Sequence, residues 1–323
     1  MALEALRSYP VRPAALRTLT IASNGIFRVD TESGERLVLR VSDPKSCHGP
    51  GETASEMAWL DALAKETDLG VPRPLRTIEG KLMTLVKTEG IPEPRLCQLF
   101  TWIPGPDLIE RMTPENLRLL GVLTARLHLH AAGFVPPEGF HVRTLNRVFP
   151  YEVEGFPYAE PVVLFDAASR EHMPPSRQAV VREAVTRVEE VLGDLYRSPA
   201  GLRVTHNDLH PWNVKVCRGR IYALDFEDLA WGYPVQDIAT TFFYIERMEA
   251  AALLMQAYRA GYESLLPWPV THPDQLRALI AGRDVMLANY LLCSRIPEDR
   301  EALPGYLFRM EERLQRFLGG TTG

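Results

Sequence analysis

The 323-residue sequence has only four cysteines, Cys47, Cys97, Cys217 and Cys293, widely spread and without a C-x-x-C pair. Such spacing fits reduced thiols in a cytoplasmic protein better than a disulfide framework. No window approaches the roughly 18 uninterrupted apolar residues of a membrane span, so no membrane partner is expected. The first twenty residues lack a long apolar core and a cleavage-like segment, so no signal peptide is expected. A basic excess is missing too: 36 Lys and Arg stand against 41 Asp and Glu, a formal charge of −5, which argues against nucleic acid as a partner. There is no internal repeat and no low-complexity tract. What is present is a 46% apolar chain, able to bury a core and long enough for two modest domains or one bilobal one.

The first hundred residues read as strands with one helix. Residues 21–31 and 35–41 alternate in part and are joined by Ser33-Gly34, as in a hairpin. Residues 52–65 read as a helix with Met57, Leu60 and Ala64 on one face, ended by Gly70, Pro72 and Pro74. Residues 81–87 and 95–102 are two further strand candidates. The texture changes after Ile103-Pro104-Gly105-Pro106. Thr113 with Pro114 opens a helix to about residue 132, and 135–175 is an irregular, Pro- and Gly-rich excursion. A second long helix spans about 177–196, with Val180, Ala184, Val188, Val191 and Leu195 on its buried side. Helices near 235–247, 249–263, 273–294 and 299–318 complete the chain. A small antiparallel sheet lobe over 1–102 and a larger, mostly helical lobe over 103–323 are expected, an α+β class.

Chemistry concentrates in 205–216, T-H-N-D-L-H-P-W-N-V-K-V, and in 223–228, A-L-D-F-E-D. Asp208, Asn213 five positions on, and Asp225 after a short strand pair form the core that a kinase-type phosphotransferase needs. Phosphoryl transfer passes through a loose transition state that needs in-line positioning more than strong deprotonation. Asp208 would orient the acceptor hydroxyl and take its proton late. Asn213 offers a neutral oxygen and Asp225 an anionic one to magnesium. His206 would bond backbone within the loop and hold its shape. A plain polar turn is the ordinary alternative, and the apolar strand pair ending in D-F weighs against it. A transition-metal site from His206, Asp208 and His210 would need a helix to bring the two imidazoles together. Pro211 and the β-prone Val204, Val214 and Val216 oppose one.

These segments, with Asp237-Ile238-Ala239, resemble the aminoglycoside phosphotransferase superfamily, which includes choline kinases and type II homoserine kinases. The resemblance runs from about residue 20 to 240 and implies a bilobal protein-kinase-like fold with ATP as co-substrate. It implies Arg40, in L-V-L-R-V, at the position of the phosphate-contacting lysine, with Glu56 as its ion-pair partner. Arginine there is a departure, since its fork is bulkier and differently shaped. The resemblance further implies that Ser23, Asn24 and Gly25 cover the nucleotide, though they form no G-x-G-x-x-G. Backbone near Thr101 and Ile103 would meet adenine, with Phe100 at the back of the pocket. Asp237 would hold the catalytic loop by bonding its backbone. Glu227 and Asp228, with Glu152 and Glu154, are places for a second cation or an amine-bearing substrate.

Only twelve positions separate Asp225 from Asp237, too few for the activation segment of a regulated protein kinase, and Glu227 replaces the glycine of D-F-G. A small-molecule hydroxyl acceptor is therefore expected: an amino alcohol, homoserine-like or aminoglycoside-like. The alternatives are a Ser/Thr protein kinase of the same superfamily and a non-catalytic nucleotide-binding pseudokinase.

Overall fold

A computed structural model describes residues 1–21, 24–44, 48–151, 160–294 and 296–320. A short helix α1 (Ala2–Leu6) precedes three strands, β1 (Pro13–Ile21), β2 (Asn24–Thr31) and β3 (Arg36–Ser42). Helix α2 (Pro50–Glu66) follows, then β4 (Thr84–Val86) and β5 (Arg95–Thr101). The five strands form one antiparallel sheet in the order β1-β2-β3-β5-β4. Four strands were expected and β1 was not. It is an edge strand exposed along almost its whole length, so no buried face imprints a period on its sequence.

Strand alternation decides what each sheet face carries. Leu37 and Leu39 of β3, with Cys97 and Leu99 of β5, pack against Ala5, Leu6 and Tyr9 around α1. The intervening residues Val38, Arg40, Gln98 and Phe100 therefore point to the other face, where α2 brings Met57, Leu60 and Leu63. Pro50 sits in the first turn of α2, and the Glu52 carboxylate accepts the Gly49 amide at 2.9 Å, so the N-terminus is satisfied.

The larger lobe begins with α3 (Pro114–Gly133), whose Thr113 hydroxyl accepts the Asn116 amide at 3.2 Å. The 135–175 excursion holds only β6 (Arg143–Thr144) and a single 3-10 turn among its described residues. Next come α4 (Pro175–Leu195), β7 (Arg203–Thr205), β8 (Val214–Cys217), β9 (Arg220–Ala223) and β10 (Ala230–Gly232). Four helices close the chain: α5 (Pro234–Ile245), α6 (Ala251–Glu263), α7 (Pro273–Cys293) and α8 (Pro297–Gly319). In α4 the buried stripe is Val181, Ala184, Val188 and Leu192, while Val180, Val191 and Leu195 lie at its margin. Ala184 and Val188 are buried as expected, and the other buried members stand one position along, at Val181 and Leu192.

Two features of this lobe bear on the site. Helices α3 and α6 touch backbone to backbone: a Cβ on Gly121 would lie 2.0 Å from the Tyr258 carbonyl oxygen, and one on Gly261 would lie 1.9 Å from that of Arg118. Only glycine allows that approach. The stretch from Asp225 to α5 holds one short strand, β10, pairing with both β6 and β7. Among the described residues no helix is long and apolar enough to cross a membrane.

Candidate active site

The loop between β7 and β8 carries Asp208 and Asn213, and Asp237 in the first turn of α5 sits beneath it. The Asp237 carboxylate accepts the backbone amides of His206 at 3.0 Å and Asn207 at 2.5 Å. A third contact comes from His128 Nε2 at 3.0 Å, and His128 Nδ1 meets the Tyr262 hydroxyl at 2.9 Å. Burial alone would raise the Asp237 pKa, but His128, His206 and the Asn207 amide together hold it below the usual carboxylate range. Asn207 takes a left-handed backbone, φ 65°, which turns the chain sharply just before Asp208. His206 is fully buried, its Nε2 2.9 Å from the Leu224 carbonyl, and burial pushes its pKa down. The imidazole is thus a neutral prop joining the loop to the chain just before Asp225.

Asn213 Nδ2 donates to Asp208 at both the carboxylate Oδ2, 2.8 Å, and the backbone oxygen, 3.0 Å. With its nitrogen so committed, the amide oxygen is the atom left for a cation. His210 Nε2 lies 3.3 Å from Asp208 Oδ2, and Arg283 of α7 pairs with Asp208 Oδ1. Asp225 also has a left-handed backbone, φ 57°. Although the residue opens on the cavities, desolvation by the surrounding protein raises its pKa well above normal, the nearby Glu227 adds to that, and Arg40 opposes it. Glu227 is raised by burial as well, again against Arg40. Two carboxyls crowded together, Glu227 half-buried and Asp225 open to the cavities, stand beside an amide oxygen and form an all-oxygen donor set suited to a hard divalent cation that would relieve their repulsion. No group of three His, Cys, Asp or Glu side chains with metal-holding geometry occurs among the described residues. His206 is committed to the Leu224 carbonyl.

Arg40 and Glu56 form a two-pronged buried ion pair, with Nη1 to Oε1 at 3.0 Å and Nη2 against Oε2. Arg40 Nε donates to Gln98 Oε1 at 3.0 Å, Nη1 lies 3.6 Å from Glu227 Oε2, and the guanidinium stands 5.4 Å from the Phe100 ring centroid. Asn24 Nδ2 donates to Glu227 Oε2 at 2.8 Å and its Oδ1 accepts the Asp43 amide at 3.2 Å. These residues border a cavity of about 410 Å³. Phe100, Thr101 and Ile103 line it with Ile26, Val38 and Leu60, and Arg40, Asn213, Asp225 and Glu227 form its polar end. Gly25 pairs with Val41 in the sheet and is not among the lining residues. Ser23 lies outside the described residues. The Thr101 amide donates to the Arg73 carbonyl and the Trp102 amide to that of Arg36, so neither amide faces the cavity as a donor.

A second cavity, of about 490 Å³, opens on the other side of Asp225 and Glu227, which line both. Its walls add Asp208, His210, Asp228, Glu160, Tyr151, Tyr244 and Arg283. Asp228 is held below the usual carboxylate range despite its burial, by His48 Nε2 at 3.3 Å and by the Tyr151 hydroxyl. Glu152 and Glu154 lie outside the described residues. Sequence reasoning missed Arg283, Tyr244, Tyr151, His48 and Glu160 as site residues. One signal was available for Arg283: it interrupts a helix stripe containing Ala281, Gly282, Val285 and Ala288, all buried. The others come from distant segments with no motif to mark them.

A family model described as the phosphotransferase enzyme family (APH) matches residues 17–279. Hydroxylysine kinase of Bos taurus is 24% identical over 297 residues, covering 85% of this chain and 75% of that protein. Among solved structures, a microcompartment-associated aminopropanol kinase superposes with a TM-score of 0.81 at 23% identity, covering 98% of this chain and 96% of its own. Amicoumacin kinase in complex with AMP-PNP, Ca²⁺ and Ami gives 0.75 at 18% identity, with coverage of 95% and 91%. The fold is accordingly the bilobal, protein-kinase-like one.

Proposed function

The chain belongs to the phosphotransferase enzyme family, and from that premise we propose that it is a kinase transferring the γ-phosphate of ATP, with magnesium, to a hydroxyl of a small molecule. One observation carries this reading: Asp225 and Glu227 form a wall common to two cavities, with Arg40 on one side and Asp208 on the other. A donor and an acceptor bound in the two would meet there.

In this reading Arg40, fixed by Glu56 and Gln98, steadies the donor phosphates, and Asn24 closes over them. Ser23 and Gly25 belong to the same covering segment. The base lies among Phe100, Ile26, Val38 and Leu60, against backbone of Thr101 and Ile103. Since the Thr101 amide is engaged elsewhere, Thr101 offers at most its carbonyl and Ile103 the donor. Asn213 and Asp225 would hold the magnesium, with Glu227 beside them, and its charge would supply the offset that a transferring phosphoryl group needs. Asp208 orients the acceptor oxygen in line and receives its proton; Asp237 and His206 keep the loop in shape. The division into residues 1–102 and 103–323 and a cytoplasmic location belong to the same reading. The latter is supported by free Cys97, Cys217 and Cys293 and by the ATP requirement.

An amine-bearing alcohol is the acceptor class the second cavity favours, because Glu160, Asp228 and Glu227 present carboxylates to it. Bovine hydroxylysine kinase and the aminopropanol kinase are named for such compounds. Mg-ATP and a desalted small-molecule extract, followed by mass spectrometry, test the proposal. Wild type should yield a phosphorylated metabolite that Asp208→Asn and Asp225→Asn do not. Equal product from all three would refute it.

A further inference from the structure

Asp208 carries three contacts from the protein itself. Arg283 occupies Oδ1, while Asn213 Nδ2 at 2.8 Å and His210 Nε2 at 3.3 Å occupy Oδ2. A carboxylate offers about four lone-pair sites, so one remains on Oδ1, beside Arg283, for an acceptor hydroxyl. Asn213 is tied down by a second bond to the Asp208 backbone oxygen at 3.0 Å. His210 is wedged between Trp212 and Tyr244, with ring centroids 5.7 and 4.8 Å away, and its Nδ1 faces the Asn213 amide at 3.3 Å. Arg283 makes the closest contact of the three yet is the least committed elsewhere. Its only other hydrogen bond among the described residues is a long one to the Tyr244 hydroxyl, 3.5 Å, and its buried Nε has no partner among them.

A buried guanidinium N–H without an acceptor is unfavourable, and a group that supplies oxygens to it gains correspondingly. Arginine presents its donors as a flat fork that matches a carboxylate. Arg283 lines the acceptor cavity and a smaller neighbouring one bordered by Arg147 and Asn207, and not the nucleotide cavity, so a group that reaches it from the site comes with the acceptor. The same cavity presents Glu160 and Asp228, so it offers cationic and anionic walls together. A doubly charged anion would face those carboxylates unbalanced, whereas a carboxylate accompanied by its own ammonium adds no net charge.

Resting on the kinase reading, we propose that the acceptor is a hydroxy amino acid whose carboxylate is bound by Arg283 and whose ammonium faces Glu160 and Asp228. The hydroxyl then meets the free lone-pair site of Asp208 Oδ1 beside the bound carboxylate, and Arg283 acts as a specificity-determining residue.

The test compares matched pairs that differ only in the carboxylate: homoserine with 3-aminopropan-1-ol, threonine with 1-aminopropan-2-ol, and 5-hydroxylysine with its decarboxylated counterpart. Release of ADP gives kcat and KM for each, and mass spectrometry identifies the product. In wild type the carboxylate-bearing member of a productive pair should lead by about 10- to 100-fold in kcat/KM, the range of a charged hydrogen-bonding contact. Arg283→Met should bring that ratio near one, mainly through KM of the carboxylate member, and Arg283→Lys should retain part of it. The wild-type ratio needs no variant, so misfolding of Arg283→Met would not spoil the test. Equal or better use of the decarboxylated members, or an Asp208-dependent product from a metabolite extract that lacks a carboxylate, overturns the inference and leaves the kinase reading standing. No phosphorylated product from any source overturns both.

Discussion

Replacing Asp237 with alanine removes the acceptor of three donors at once: the His206 and Asn207 amides and His128 Nε2. All three residues are at most 5% exposed, so water does not simply take over. An orphaned buried donor costs about 1–3 kcal/mol, and partial collapse or a water entering the vacated space relieves some of it, leaving about 3–5 kcal/mol. For a chain of 323 residues, at about 2.1 cal/mol/K of unfolding entropy per residue, that loss lowers the melting temperature by about 4–7 °C. Kinetics should fall more sharply than stability. The left-handed turn at Asn207 is pinned only if its amide stays bonded, and a 1 Å drift of Asp208 is worth about 100-fold in kcat. KM for ATP should change less than kcat, because Arg40 stands on β3, away from the loop that carries Asp208 and Asn213. Calorimetry and steady-state ADP release read both effects. A variant that melts within about 1 °C of wild type and keeps kcat within threefold would refute the role given to Asp237.

Arg40→Lys keeps the charge but not the fork, leaving Gln98 Oε1 and one Glu56 oxygen unpaired; KM for ATP should rise and kcat/KM fall about 10-fold or more, measured by ADP release. Gly121→Ala forces a Cβ to within 2.0 Å of the Tyr258 carbonyl, so α3 and α6 must separate and stability should drop by about 3 kcal/mol or more in urea titration. Burial lowers the folded-state pKa of His206, so the unfolded chain binds its proton more readily. Its contribution to stability is present above the ordinary imidazole pKa of about 6.5 and is lost as pH falls below that value. Melting temperatures between pH 7.5 and 5.5 should fall more steeply for wild type than for His206→Asn, and parallel curves would count against this.

The legible parts of the chain were those where one physical rule acts alone. Helices α5, α7 and α8 announced themselves because Pro234, Pro273 and Pro297 open them. The loop and its aspartates were legible because their chemistry needs those residue types in that order. Arg40 and Glu56 were found through the family pattern, and the alternation of β3 explains why Arg40 turns toward α2 while Leu39 does not. Strand β1 was invisible because an exposed edge strand obeys no burial rule. The second cavity was invisible for a different reason: His48, Tyr151, Glu160 and Arg283 meet only after the chain has folded, and nothing local links them. Tyr244 hid among the apolar residues of α5 as one more aromatic.

Tyr262, His128 and Asp237 belong to α6, α3 and α5, and they hand one hydrogen-bonded line up to the loop. The accuracy of Asp208 is therefore inherited from positions far outside the segment that bears its motif. A descendant of this chain could keep T-H-N-D-L-H-P-W-N letter for letter and still go silent by drift at 128 or 262. The reverse holds for anyone grafting or redesigning the loop: those two positions travel with it or the graft arrives without its foundation.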